Sequence, residues 1–224
     1  MRRVYLTAQF VQTLDKVVGD YEQMRDPLEI KFYFAYTSPF SYLAYEPAYA
    51  LEQRYQVRIR PIPFGVNIRK TYGDTATRSR RDQNKVRYLY LDARRYGAQR
   101  GLTILPPKKI YSARLAFYAG LFADRHLLFR QYSERLFERF WKREIEVEEL
   151  GSIAALLSEI GLNGAEFLEY RDNNARTDLD RCFAEADRDA IFGVPTLVVE
   201  GEPFWGHDRL SWVEAKLERI GRRR

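Results

Sequence analysis

Three short stretches carry the residues whose type and spacing could do chemistry: "TSPFS" at 37–41, "FGVPT" at 192–196 and "FWGHDRL" at 204–210. In the first, a strand that runs into Ser38-Pro39 and then a helix sets the Ser38 hydroxyl beside the unpaired backbone N–H groups of the first turn. Pro39 sits where a missing N–H costs little. Such a corner binds anions, and a plain N-cap by Ser38 is the competing reading. In the third, Asp208 precedes a helix and reads as its cap; a carboxylate there can also accept a ligand ammonium while the helix end receives a ligand carboxylate. A γ-glutamyl group carries both charges. In the second, Pro195 either starts an ordinary strand in the trans form or is cis, and a cis X-Pro bond usually has a positional purpose.

These stretches need elements to hold them. "LEIKFYFAY" is rich in aromatic and β-branched residues between polar turns and predicts a buried strand, and "QVRIRPIPF" predicts a second. Between them Leu43, Ala44, Ala48 and Leu51 recur at helical spacing, with Pro47 as a kink or a shifted start, so the beginning is a right-handed βαβ unit. From about 75 to 180 amphipathic helices follow one another: 83–101 ending at Gly101, 112–126, 126–144, 147–161, and two or more across 163–190. Strand character returns in "PTLVVEG" and "EPFWGH", joined at Gly201 and Glu202 as a tight hairpin, before a last helix. This order predicts an α/β thioredoxin-like fold with a large all-helical insertion. Residues 28–74 and 184–224 form the thioredoxin-like domain, 75–183 the insertion, and 1–27 an N-terminal extension whose pattern reads as an amphipathic helix. In such a fold Pro195 is cis, and the backbone of Val194 is exposed beside the Ser38 corner.

Composition narrows the function. With 224 residues and 46% hydrophobics the chain can bury a substantial core, and no apolar run approaches the roughly 18 residues of a spanning helix. The start lacks a signal-peptide pattern, and the expected location is the cytoplasm. A single cysteine, Cys182, forbids an intramolecular disulfide and a cysteine-based metal cluster, so any thiol chemistry needs a thiol brought in. The net charge of +6 is concentrated in residues 67–100, where ten Lys/Arg face three Asp. A solvated helical face, a funnel for a small anion and a phosphate-backbone patch are the three readings, taken in that order; the nearby aromatics match no base-stacking motif. Cys182, His126 and Trp141 read as structural residues, Trp141 within an aromatic core.

Taken together, "FYFAYTSPFSYLA", then Lys85, Tyr88, Leu89, Asp92, Arg95, Gly101 and Pro107, then "FGVPTLVVEGEPFWGHDRL" resemble the 2-hydroxychromene-2-carboxylate isomerases. These are a branch of the DsbA-like thioredoxin superfamily close to the kappa-class glutathione transferases. The resemblance runs from about Leu28 to Ile220. It implies a glutathione-dependent enzyme, with Ser38 as the serine that hydrogen-bonds the glutathione sulfur. Pro39 and Phe40 lie beside it, Val194 and Pro195 hold the cysteinyl part, and Trp205, Gly206, His207 and Asp208 form the γ-glutamyl and substrate-side segment. Lys70 matches a lysine that faces the substrate, an aromatic carboxylate. Ala35 and His207 depart from the usual residues, and Asp74 or Ser79 is the nearest candidate for the family's asparagine, so Ser79 joins Lys70 as a substrate-binding candidate. Alternatives are a kappa-like glutathione transferase and a non-catalytic thioredoxin-like interaction module. The resemblance also implies a homodimer. With serine at 38 and 41, a dithiol oxidoreductase is excluded for want of redox sulfur.

Overall fold

A computed structural model describes residues 26–65 and 78–224. The expectations for the N-terminal extension, and for Lys70 and Asp74, lie outside those residues. Strand β1 (Leu28–Phe34) is followed by helix α1 (Pro39–Arg54) and strand β2 (Val57–Pro63), which pairs parallel to β1 with Leu28 opposite Val57. Six helices come next: α2 (Arg80–Gln99), α3 (Arg114–Arg125), α4 (Phe129–Lys142), α5 (Leu150–Glu159), α6 (Gly164–Asn173) and α7 (Ala175–Arg188). The chain closes with β3 (Thr196–Val199), β4 (Glu202–Trp205), a 3₁₀ turn at His207–Arg209 and α8 (Leu210–Arg219). The sheet order is β2-β1-β3-β4, with β3 antiparallel to β1 and β4 antiparallel to β3. This βαβ, helical block and ββα sequence is the thioredoxin-like fold with a helical insertion that the sequence predicts. Among the described residues no helix is long and apolar enough to cross a membrane.

β1 lies inside the sheet, and Ile30, Phe32, Tyr33 and Phe34 are all buried; its first half alternates, with Glu29 and Lys31 between apolar residues, and its end is apolar on both faces. Its two faces meet different partners. On one, Phe34 packs against Tyr36, Phe117, Phe129 and Phe137 at ring-centroid distances of 5.0–6.2 Å, so the end of β1 is fused to α3 and α4 through aromatic contacts. The Tyr36 hydroxyl shares a buried 2.8 Å hydrogen bond with Ser133, and a Cβ on Gly120 would lie 2.6 Å from that hydroxyl. On the other face Tyr33, Ile62, Ala186, Ile191 and Val198 form a small second core under α7. Charges lock its rim: Lys31 pairs with Glu185 at 2.9 Å and Asp189 at 2.7 Å, and Tyr33 donates to Asp189 at 2.6 Å.

Three local details differ from the expectations. Helix α1 begins at Pro39 and runs through Pro47, so of the two roles expected for that proline, a kink or a shifted start, the shifted start does not occur. Proline has no N–H to give Leu43 four residues back, and the Arg100 guanidinium at the end of α2 donates to that carbonyl instead, while also holding Glu46 at 2.6 Å. The hairpin turn is Glu200–Gly201, one residue earlier than expected, because Glu202 already pairs with Val199; both turn residues have positive φ (50° and 80°), the geometry that matches strand twist in a two-residue loop. Asp208 caps no helix: it lies in the 3₁₀ turn and pairs with its neighbour Arg209 at 2.8 Å.

Candidate functional site

The Ser38 corner forms as its residue types dictate. Ser38 takes an extended conformation, its Oγ accepts the Ser41 N–H at 3.2 Å, its carbonyl accepts the Tyr42 N–H at 3.2 Å, and Pro39 occupies the first helical position. The N-cap reading of Ser38 is met, and capping does not use up the residue. As an N-cap it spends a lone pair, and among the described residues nothing accepts its O–H proton or pairs with the Phe40 N–H. Those two donors are available to an anion. Ser41, fully buried, turns inward and its Oγ accepts the Ala35 N–H at 3.2 Å.

The Val194–Pro195 peptide bond is cis. Neither the N–H nor the C=O of Val194 meets a backbone partner among the described residues, whereas the flanking groups are engaged: Thr196 Oγ1 donates to the Gly193 carbonyl at 2.8 Å and the Gly206 N–H donates to the Pro195 carbonyl at 2.9 Å. Trp205 lies over Gly193, where a Cβ would come 2.7 Å from the indole Nε1, and stacks edge-on with Phe192 at 4.9 Å. Both rings are open to solvent, Trp205 at 53% and Phe192 at 69% exposure. Exposed aromatics beside an unpaired backbone amide offer apolar contact and hydrogen-bonding groups on one surface.

Ser38, Pro39, Phe40, Val194 and Trp205 line one cleft of about 800 Å³, a volume suited to a small-molecule site. Pro195 is not on the cleft wall; it is the neighbour to which Val194 is joined by the cis bond. Gly206, His207 and Asp208 do not line it. His207 instead lies behind Phe40, its ring parallel at 5.0 Å, with Tyr96 of α2 edge-on at 4.5 Å. Burial among these rings lowers the His207 pKa below 6.5; Asp208 and Asp92 act in the opposite direction. Ser79 caps α2, accepting the Asp82 N–H at 3.1 Å and donating to its carboxylate at 2.6 Å, and is also absent from the cleft wall. Burial pushes the Cys182 thiol up to about 11, so it stays protonated and unreactive at neutral pH.

The opposite wall was not legible in the sequence. It comes from α2, from the segment Pro107–Ala113, from α3 and from α4, with Tyr90, Tyr111, Phe117 and Phe140 as its aromatic surface. Five lysines and arginines line the cleft, Arg78, Lys85, Lys108, Lys109 and Arg114, and among the described lining residues there is no carboxylate. Three of them lie outside the basic stretch that charge counting singled out. The cleft thus combines apolar walls, a positive potential and, at one end, a hydroxyl and backbone amides aimed at an anion.

Comparison with known proteins gives this arrangement relatives. The chain is 30% identical over 200 residues to the 2-hydroxychromene-2-carboxylate isomerase of Pseudomonas putida, covering 86% of this chain and 96% of that protein. It is 29% identical over 192 residues to the enzyme of the same name from Pseudomonas sp. strain C18, covering 83% and 88%. A solved 2-hydroxychromene-2-carboxylate isomerase superposes with a TM-score of 0.73 at 26% identity, covering 86% of this chain and 96% of that one. A probable DsbA oxidoreductase from Streptomyces coelicolor, at 13% identity and a TM-score of 0.68 over 86% and 89% of the two chains, shares the fold alone. The DSBA-like thioredoxin domain family matches residues 29–218. The chain belongs to that family, within its 2-hydroxychromene-2-carboxylate isomerase branch.

Proposed function

We propose that this protein is a glutathione-dependent cis-trans isomerase acting on an aromatic carboxylate of the 2-hydroxychromene-2-carboxylate type. The observation that carries the reading is the Ser38 corner. A hydroxyl with an uncommitted proton and a free first-turn N–H face a cleft beside the unpaired amide of Val194, in a chain whose isomerase relatives align over most of their length.

The donor set fits glutathione. Val194 offers an N–H and a C=O to a peptide-like ligand in the manner of one more strand. Ser38 and the helix end favour a negative sulfur over a neutral one, lowering a thiol pKa from its ordinary value of about 8.5. Bound there, glutathione would supply a thiol whose reversible addition to a conjugated double bond permits rotation and whose elimination returns the other isomer.

The protein's own part is positional and electrostatic. Ser38 Oγ keeps its lone pair on the Ser41 N–H, which fixes the hydroxyl's orientation and leaves its proton for the sulfur. Phe40 and Trp205 exclude water on one side, and Phe117, Phe140 and Tyr111 on the other. The positive lining holds the substrate's carboxylate and steadies negative charge that develops on its oxygen as the double bond is attacked.

Calorimetry tests the reading. Wild-type protein is expected to bind glutathione, and Ser38→Ala to weaken that binding by about 10-fold or more at a pH where the thiolate is bound, since a hydrogen bond to a charged group contributes about 1.5–3 kcal/mol. Absence of glutathione binding by the wild type would sink it.

A further inference from the structure

Arg114 stands where the cleft meets a second hollow. It is the first residue of α3 and lines the cleft with Tyr111, Phe117 and Phe140. Together with Ser112 it also lines an adjoining hollow of about 270 Å³, whose other walls are Leu115, Tyr118, Glu148 and Arg171.

The cations around this junction are not equivalent. Lys109 is committed, with its Nζ 2.5 Å from Glu148 and 4.9 Å above the Tyr111 ring. Arg171 holds Asp172 through two hydrogen bonds of 2.7 and 3.0 Å. Glu148, the hollow's one acid, is used by Lys109 and by the Ser112 N–H at 2.7 Å, and these bonds hold its carboxyl below the usual range. The Arg114 guanidinium, by contrast, has no ion pair or hydrogen bond among the described residues; only its backbone N–H is engaged, by Ser112 Oγ at 3.4 Å. The helix gains nothing from it either, because a cation in the first turn faces the positive end of the helix dipole. A planar guanidinium that the fold leaves unused, at the rim of an aromatic wall, matches the two oxygens of a carboxylate. Lys108 adds a second positive charge to the same segment without that fork geometry.

We propose that Arg114 is the specificity-determining contact for the substrate. It takes the acid group of an aromatic carboxylate whose ring lies against Phe117 and Phe140. This contact comes from a different element than the Ser38 corner, so acid-group recognition and thiol activation are separable. The proposal rests on reading the cleft as the substrate site, and not on glutathione.

The test therefore omits glutathione. Binding of 1-naphthoate and of its neutral isostere 1-naphthamide is titrated calorimetrically, with the thermal transition of each variant recorded alongside. The wild type is expected to prefer naphthoate by about 10-fold or more, as a charge-assisted bidentate pair would give. Arg114→Gln abolishes the preference, leaves naphthamide binding and the unfolding temperature unchanged, and Arg114→Lys restores part of it. The proposal is overturned if the preference survives Arg114→Gln, if the wild type binds both probes alike or neither, or if the variant weakens both equally, which marks a structural role. Failure of glutathione to bind in a separate titration removes the isomerase reading and leaves this arm standing.

Discussion

Ser38 Oγ accepts the backbone N–H of Ser41 at 3.2 Å, and the Ser41 side chain, turned away from the cleft, accepts the N–H of Ala35 at the same distance. The two serines thus divide their work: one lines the cleft, the other closes the strand-to-helix turn. Substitution should separate them. Ser41→Ala leaves the buried Ala35 N–H without a partner and is expected to cost about 1–3 kcal/mol of stability. Ser38→Ala removes an N-cap, at a cost of about 1 kcal/mol, and is expected to weaken glutathione binding by about 10-fold or more. Urea unfolding measures the first pair of values, and a Ser41→Ala protein as stable as wild type would contradict the assignment.

Arg100 donates to the carbonyl that Pro47 leaves unserved, a bond between two helices created by a missing N–H. Arg100→Leu strands the Leu43 carbonyl, at an expected cost of about 1–3 kcal/mol. In a Pro47→Ala background the helix can supply its own donor, so the same substitution costs less. The exposed pair with Glu46 contributes little in either background. A double-mutant cycle with no coupling energy would show that Arg100 does not serve that carbonyl.

The ends of the fold were legible because their signals are local. The run Ile30–Phe34, the Ser38-Pro39 helix start and the Gly201 turn each announce themselves within a few residues, and the helical block shows plain periodicity. The cleft's far wall was not legible, since Lys108, Lys109 and Arg114 lie in and after an aperiodic segment, and only the packing of α3 and α4 on Phe34 brings them opposite Ser38. The family resemblance groups His207 and Asp208 with Trp205, yet of the three only Trp205 lines the cleft. In the structure the positive φ of Gly206, 120°, turns the chain at that point, and His207 lies behind Phe40. Pro47 reads locally as a kink or a shifted start; the helix runs through it, and a side chain 53 positions away, at Arg100, supplies the missing donor.

Gly120 is set by close approach rather than by backbone conformation. An added Cβ would meet the Tyr36 hydroxyl at 2.6 Å inside a packed aromatic cluster, so Gly120→Ala should destabilise by about 1–3 kcal/mol. Tyr36→Phe removes the obstructing oxygen, and the double variant is expected to recover part of the loss. Additive effects in thermal unfolding would place the strain elsewhere.

His207 gives the fold a dependence on mild acid. Its folded pKa lies below 6.5, from burial between Phe40 and Tyr96 first and from Arg100 and Arg209 after it, against Asp208 and Asp92. The unfolded chain therefore takes up the proton first as pH falls. The contribution is complete above pH about 6.5 and is lost on descent toward the folded pKa. Glu185, Asp189 and Glu148 have lowered pKa values and act only below the ordinary carboxylate range. The unfolding temperature is expected to fall between pH 7 and 5, and to fall less in His207→Phe; identical profiles would contradict the assignment.

Turnover with a count of free thiol tests the central claim most directly. A 2-hydroxychromene-2-carboxylate is incubated with the protein, with and without glutathione, while absorbance follows isomerisation and a thiol reagent measures glutathione before and after. The account predicts no turnover without glutathione, many turnovers with it at unchanged thiol concentration, and at least about a 10-fold loss of rate in Ser38→Ala. Equal turnover without glutathione, or consumption of one thiol for each substrate converted, would contradict it.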